Sequence, residues 1–147
     1  MEYKELELQK QKCETIEIGE ALDTRKRKKT VFIDTRTRKE YEEAHIPEAI
    51  NIPIMSDKER SIIGTIFNQE NQNEAISKGW ELFTPRIQQF VENVKDVTKG
   101  SEQIIIYCWR GGLRSRIIVN LLKLFNINSL QLVGGHKHYM NSIVWEG

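Results

Sequence analysis

The chain has 147 residues, 22 of them basic and 21 acidic, for a formal net charge of +1. That length suits one domain with a sizeable core, and the near-balanced charge excludes recruitment to nucleic acid or membrane by a global field, so any such contact has to be a local patch. There is no apolar run near the roughly 20 residues of a membrane helix. The charged start, Met1-Glu2-Tyr3-Lys4-Glu5, lacks a signal-peptide core, and two cysteines are too few for a disulfide scaffold; together these point to a reducing cytoplasm and no membrane.

Residues 1–14 read as an N-terminal arm, strand or frayed, ahead of a domain over 15–147. Cys13 follows Lys12 but has no glycine loop beside it suited to activation, and it reads as structural or incidental. Thr15-Ile16-Glu17-Ile18 alternates like a short strand, and Gly19 to Leu22 suggests a turn or short helix. Arg25-Lys26-Arg27-Lys28-Lys29 is the most basic run. It reads as a solvated loop or, alternatively, as a phosphate-backbone contact; without interleaved aromatics it offers no base stacking. Val31-Phe32-Ile33-Asp34 is apolar on both faces, as inside a parallel sheet, and Asp34 stands at the end where open α/β sheets bind ligands. Thr37 followed by Glu40 predicts a capping box opening a short helix. Asp34 and Arg36 read as loop-holding residues, and His45 as a hydrogen-bonded structural histidine rather than a general base.

Prolines 47 and 53 bracket a strand from Ala49 to Ile52. Residues 55–84 form a helical excursion: Ser56 and Glu59 make a second capping box, Ile62, Ile63, Ile66 and Phe67 follow, and Asn71, Gln72 and Asn73 break the run. A helix from Pro85 through Val97 presents Ile87, Phe90, Val91 and Val94, and Lys99-Gly100 ends it. Ser129 to Val133 reads as the last strand, before Gly134-Gly135 and His136-Lys137-His138-Tyr139. His136 and His138 are too close for a same-face helical pair and no third ligand is near, so no metal site is expected. There is no P-loop motif. Alternating strands and helices predict an α/β fold with a parallel sheet covered on both faces.

The chemistry concentrates in Ile104-Ile105-Ile106-Tyr107-Cys108-Trp109-Arg110-Gly111-Gly112-Leu113-Arg114-Ser115, followed by a predicted helix from Ser115 to Phe125. A thiol between a buried strand and a helix start lies over free backbone N–H groups and the positive end of the helix dipole. Both favour thiolate, so Cys108 is the candidate nucleophile. Gly111 and Gly112 let the loop curl into an anion-binding nest, to which Arg110 and Arg114 can add forked donors. Trp109 reads as a hydrophobic plug, or as a shield over the thiolate.

Asp34-Thr35-Arg36, Glu40-Tyr41, His45-Ile46-Pro47-Glu48-Ala49-Ile50-Asn51-Ile52-Pro53 and the strand-end loop cysteine together resemble a rhodanese domain, over roughly Thr15 to Tyr139. Ala44 and Glu48 stand where that family commonly has glycine. The resemblance implies a five-stranded parallel sheet between helices, and a cysteine that carries sulfur or a heavier chalcogen. Three stretches are similar, more narrowly, to the tRNA 2-selenouridine synthase family: Tyr107 to Ser115; Pro53-Ile54-Met55-Ser56-Asp57-Lys58-Glu59-Arg60 with Ile63-Gly64-Thr65 and Gln69; and Leu132-Val133-Gly134-Gly135-His136-Lys137-His138-Tyr139. One of them lies inside the 55–84 insertion, which ordinary rhodaneses lack. That similarity implies selenium carried on Cys108 from selenophosphate toward a wobble 2-thiouridine in tRNA, with a geranylated intermediate in the family's chemistry and no tightly bound cofactor. It places Trp109, Arg110, Gly111, Gly112, Leu113 and Arg114 on the substrate loop, with Asp34, Arg36 and His45 in support. Such enzymes continue into a P-loop domain that binds the tRNA; this chain is then either a domain cut from a longer protein or, as the preferred expectation, part of a split enzyme with the P-loop half on a partner chain. The rival readings are a general thiosulfate or persulfide sulfurtransferase, a cysteine phosphatase (five residues separate Cys108 from Arg114) and a non-catalytic binding module.

Overall fold

β-branched and aromatic residues with no polar face fill two stretches, and both become central strands, β2 (Thr30–Asp34) and β4 (Gln103–Tyr107). They pair in parallel from Thr30 opposite Gln103 to Asp34 opposite Tyr107. β1 (Thr15–Ile16), β3 (Ile50–Asn51) and β5 (Leu130–Leu132) complete a five-stranded sheet of order β1-β5-β4-β2-β3, parallel at every pairing. The computed structural model describes residues 12–146, with side chains through Ser142. Most of the predicted N-terminal arm therefore lies outside the described residues.

Parallel strands need crossover connections, which helices supply. These are α1 (Ile18–Thr24), α2 (Arg38–Glu43), α3 (Asp57–Gln69), α4 (Gln72–Phe83), α5 (Ile87–Val97), α6 (Leu113–Leu124) and α7 (Gly135–Glu146). Neighbouring strand residues face opposite sides of the sheet. Ile33 and Ile106 accordingly pack on one face with Trp80, Phe83, Phe90, Val94 and Leu122 from α4, α5 and α6. Phe32, Ile105 and Tyr107 pack on the other with Ile18, Ala21, Ile46 and Tyr139. Both faces are thus covered.

Local signals set most helix starts. The two capping boxes form, Thr37 with Glu40 and Ser56 with Glu59. Asn71 caps α4 by accepting from the Glu74 N–H, so the break in the 55–84 segment falls at Glu70–Asn71 and the segment becomes α3 and α4. Arg86 ties this segment to α5, donating to both Glu59 carboxylate oxygens at 2.9 and 3.0 Å. Several boundaries differ from the sequence reading: β3 and β5 shorten to Ile50–Asn51 and Leu130–Leu132, α5 starts at Ile87 after a 3-10 turn over Thr84–Arg86, and three further differences are larger. Ile18 opens α1 instead of closing β1, because its side chain turns into the core beside Ala21. α6 begins at Leu113, two residues before Ser115. The chain after Gly134 winds into α7, which the pair of glycines concealed.

The topology selects one place for a site. The connection after β2 leads outward to β3, and the one after β4 leads the opposite way to β5. The carboxyl ends of β2 and β4 therefore flank the crevice where open parallel sheets bind ligands.

Candidate active site

Cys108 is the first residue after β4 and is 3% exposed. Thr35, the first residue after β2, donates from both its N–H and its Oγ1 to the Tyr107 carbonyl, each at 3.0 Å. The peptide leading into the cysteine is therefore clamped by the neighbouring strand.

The loop that follows is shaped by where its carbonyls go. The Cys108 and Trp109 carbonyls accept from the His136 and Lys137 N–H groups at the start of α7, both at 2.9 Å. The Gly111 and Gly112 carbonyls accept from the Gln131 side-chain amide, both at 2.8 Å. There is no cis peptide bond, and a planar trans peptide points its N–H opposite to its C=O. With these carbonyls drawn down to α7 and β5, the N–H groups of Trp109, Arg110, Gly112 and Leu113 turn to the other side. Among the described residues no N–H from Trp109 to Arg114 meets an acceptor. The loop thus offers unpaired donors at the start of a 12-residue helix, the arrangement that binds anions.

Two glycines make this close approach possible. Gly111 has φ +68, and a Cβ there would lie 2.7 Å from Gly134 N and Leu132 O. Gly135 has φ +58, and its Cβ would lie 2.5 Å from the Cys108 carbonyl oxygen. Any side chain at either would part the cysteine loop from the turn before α7.

The Cys108 sulfur has one polar side-chain partner, the Ser115 hydroxyl at 3.2 Å. Arg110 is exposed and Arg114 half-buried, and neither has an ion-pair partner among the described residues, so both guanidinium groups remain available to an incoming anion. Trp109 is half-buried and leans on His136, with ring centroids 5.7 Å apart. His136 is buried against Tyr107, Trp109 and Tyr139, and its Nδ1 has no hydrogen-bond partner. Burial and then the charge of Arg36 push its pKa down to about 4, so it is neutral at pH 7.

Asp34 and Arg36 are both buried, and they face each other behind the loop. Arg36 donates from Nε and Nη2 to the Asp34 carboxylate at 2.8–3.1 Å. Tyr107 lies against them, with the Arg36 guanidinium 6.0 Å from its ring centroid, and its own hydroxyl oxygen accepts from the Ile46 N–H at 3.2 Å. Burial and the adjacent Asp34 charge hold the Tyr107 hydroxyl well above its usual range, so it stays protonated. This cluster fixes the ends of β2 and β4 and does not touch the sulfur. His45 stacks on Tyr41 at 3.7 Å, with its Nδ1 against the Tyr41 carbonyl oxygen at 2.8 Å. Among the described residues no hydrogen bond joins it to Cys108.

The remaining candidates lie apart. The basic run Arg25 to Lys29 leads into the start of β2, a five-residue strand or about 16 Å from the Cys108 end. Within it Arg25 donates to the Pro47 carbonyl and covers the Phe32 ring, and Arg27 pairs with Asp23. Cys13 is half-buried, and burial raises its thiol pKa against the pull of Arg116. Clefts of about 370 Å³ at the amino ends of β4 and β5, and about 470 Å³ between β3 and α5, do not touch the Cys108 loop. Among the described residues no cluster of His, Cys, Asp or Glu could hold a metal ion, and no helix is long and apolar enough to cross a membrane.

Sequence reasoning passed over three residues that shape the site: Thr35, Ser115 and Gln131. Gln131 did leave a signal, a lone polar residue between Leu130 and Leu132 in an otherwise apolar strand.

A parallel α/β sheet that presents a buried cysteine on an anion-ready loop at its switch point defines a cysteine-loop α/β domain. The chain matches the rhodanese-like domain family over residues 17–142, and it belongs to that family. The tRNA 2-selenouridine synthase of Nitrosomonas europaea is 34% identical over 109 residues, which cover 74% of this chain and 28% of that protein. The chain thus spans less than a third of the length of such curated relatives. The N-terminal domain of a putative ATP/GTP-binding protein from Clostridium difficile 630 superposes with a TM-score of 0.82 at 39% identity, covering 88% of this chain and 98% of that one. A human single-domain sulfurtransferase shares the fold at a TM-score of 0.51 and 14% identity, over 86% of this chain and 95% of that one.

Proposed function

We propose that this domain carries selenium on Cys108 for the conversion of wobble 2-thiouridine to 2-selenouridine in tRNA, working with a separate P-loop half that holds most of the tRNA. The observation that carries the reading is the Cys108 loop, with its carbonyls drawn away and its N–H groups unpaired. The relatives named tRNA 2-selenouridine synthase support the substrate class, and the short share of their length that this chain spans supports a second half. The Clostridium difficile neighbour, the N-terminal domain of a putative ATP/GTP-binding protein, supports a nucleotide-binding second half.

In this mechanism the Cys108 thiolate attacks the chalcogen of an anionic donor. Loop N–H groups, Arg110 and Arg114 hold the donor's oxyanion. A new bond forms from Sγ to sulfur or selenium as the donor's own bond to that atom breaks. The donor leaves with the bonding pair: sulfite from thiosulfate, phosphite from selenophosphate. The terminal selenium then attacks C2 of the activated uridine on the partner half, whose 2-thio group leaves as a thiolate; an external thiol attacks Sγ, the Sγ–Se bonding pair departs with selenium as 2-selenouridine, and a second thiol reduces the resulting mixed disulfide to restore Cys108.

A second reading rests on the spacing of Cys108 and Arg114, with five residues between them as in cysteine phosphatases. There the thiolate attacks phosphorus instead, selenide leaves with the pair, and hydrolysis of the phosphocysteine gives phosphate. Phosphorus NMR of the selenophosphate reaction separates the two, since phosphite marks attack at selenium and phosphate marks attack at phosphorus. For the pathway as a whole the test is reconstitution with the P-loop half and 2-thiouridine tRNA. The mixture should form 2-selenouridine, with loss in Cys108→Ser and no effect of Cys13→Ser. Full selenation in Cys108→Ser would overturn the reading, and turnover with thiosulfate far above that with selenophosphate would move it to a general sulfurtransferase.

A further inference from the structure

Gln131 is 6% exposed on β5, and its amide lies directly under the cysteine loop. Its Nε2 approaches the Gly111 carbonyl at 2.8 Å, the Gly112 carbonyl at 2.8 Å and the Ser115 hydroxyl at 2.7 Å. Carbonyl oxygens only accept, so the amide atom that faces them is the NH2 nitrogen. At the other end, Oε1 accepts from the Cys13 thiol at 3.5 Å. The orientation of the amide is thereby fixed at both ends.

The hydroxyl of Ser115 inherits a direction from this. An amide nitrogen donates and does not accept, so the Ser115 proton has no acceptor on Gln131. The other atom within reach is the Cys108 sulfur at 3.2 Å. While Cys108 is a thiol, its S–H can donate to Ser115. Once it ionises, the Ser115 O–H donates to the sulfur, and a charge-assisted hydrogen bond forms in place of a weak one.

We propose that Gln131 is a positioning residue for the Cys108 loop: it directs the Ser115 hydroxyl to donate to the ionised sulfur and keeps the Gly111 and Gly112 carbonyls off the anion-facing side. The proposal rests on the reading of Cys108 as the reactive thiol, and it goes further by naming what orients the hydrogen bond to its sulfur from the opposite strand. Without the amide, two carbonyls lose their donor and the Ser115 hydroxyl loses the donor that turns its proton toward the sulfur.

The test is the pH midpoint of Cys108 alkylation by iodoacetamide, located by peptide mass spectrometry in folded protein. The other titratable groups at the near ends of the elements packed against the loop are Arg110 and Arg114 on the loop itself, Arg116 on α6, His136, Lys137 and His138 on α7, Tyr107 on β4, Asp34 and Arg36 at the end of β2, and Cys13 against the Gln131 amide. They are common to all variants compared. Ser115→Ala should raise the midpoint by about one pH unit or more, as expected when a charged hydrogen bond is lost, and Ser115→Thr, which keeps the hydroxyl, should restore it. Gln131→Glu turns the donor into an acceptor that captures the Ser115 proton and should raise the midpoint at least as far. Gln131→Met removes the donor without adding charge and should raise it less. Combining Ser115→Ala with Gln131→Glu should give no more than the larger single shift, since both act through one hydrogen bond. A midpoint unchanged in Ser115→Ala, or unchanged in Gln131→Met with circular dichroism like that of the parent, overturns the proposal. Because alkylation needs no chalcogen donor, these outcomes stand apart from whether Cys108 carries selenium.

Discussion

Asp34 and Arg36 are 0% and 3% exposed, and each is the other's counter-charge. Truncating one member of such a pair leaves a buried charge alone, at a cost of about 3–5 kcal/mol. Asp34→Ala should therefore lose that much stability in urea unfolding and, by freeing Tyr107, reduce sulfur transfer as well. An Asp34→Ala variant as stable as the parent would remove the pair from the account. His136 gives a pH signature. Its folded pKa of about 4 lies below its ordinary 6.5, so between those values the unfolded chain binds a proton that the folded chain does not. Stability should fall as pH drops from about 6.5 to 4, by on the order of 2 kcal/mol, and His136→Phe should flatten that part of the profile. A slope unchanged in His136→Phe would mean that another group carries it. At this scale the sequence exposed what local context decides. Cys108 between an apolar strand and two glycines, and the capping boxes at Thr37 and Ser56, depend on neighbours within a few residues. Thr35, Ser115 and Gln131 acquire their parts from partners 72, 7 and 16 residues away, and no local pattern reports such a partner.

The start of α7 and the Cys108 loop interlock as a pair of elements. The first N–H groups of a helix lack partners within it, and here two of them serve the carbonyls of Cys108 and Trp109. Gly135 lets the two backbones meet, so Gly135→Ala should cost about 2 kcal/mol or more for the left-handed backbone and the collision with the Cys108 carbonyl. Transfer should fall more than the lost stability explains, because the loop N–H groups would shift. The control is Gly19→Ala, where a Cβ meets nothing within 4 Å inside α1 and stability should rise by about 0.5–1 kcal/mol. Equal activity in the two variants, measured well below their melting temperatures, would contradict the interlock. The same contact explains why α7 was not legible in the sequence. A glycine pair ordinarily punctuates a chain; here the second glycine opens a helix because close approach to the cysteine loop demands it. The parallel sheet itself was legible, since β2 and β4 carry apolar residues on both faces.

For the whole molecule, the order of the strands places chemistry and charge at different ends. The Cys108 loop occupies the carboxyl edge at the switch between β2 and β4, and the Arg25 to Lys29 run leads into the amino end of β2. With a net charge of +1 spread this way, this chain alone should hold tRNA weakly, with a shallow dependence on salt, and the proposed P-loop half should hold it far more tightly. Filter binding of each half checks this; tight binding by this chain alone would shift the tRNA contacts onto it. In this proposal the Cys108 sulfur takes one chalcogen atom, sulfur or selenium, from an anion. Intact-mass and peptide mass spectrometry after exposure to thiosulfate or selenophosphate tests it most directly. The account predicts the gain of a single sulfur or selenium atom, mapped to Cys108 and absent from Cys108→Ser; an unmodified Cys108, or a gain mapped to Cys13, would contradict it.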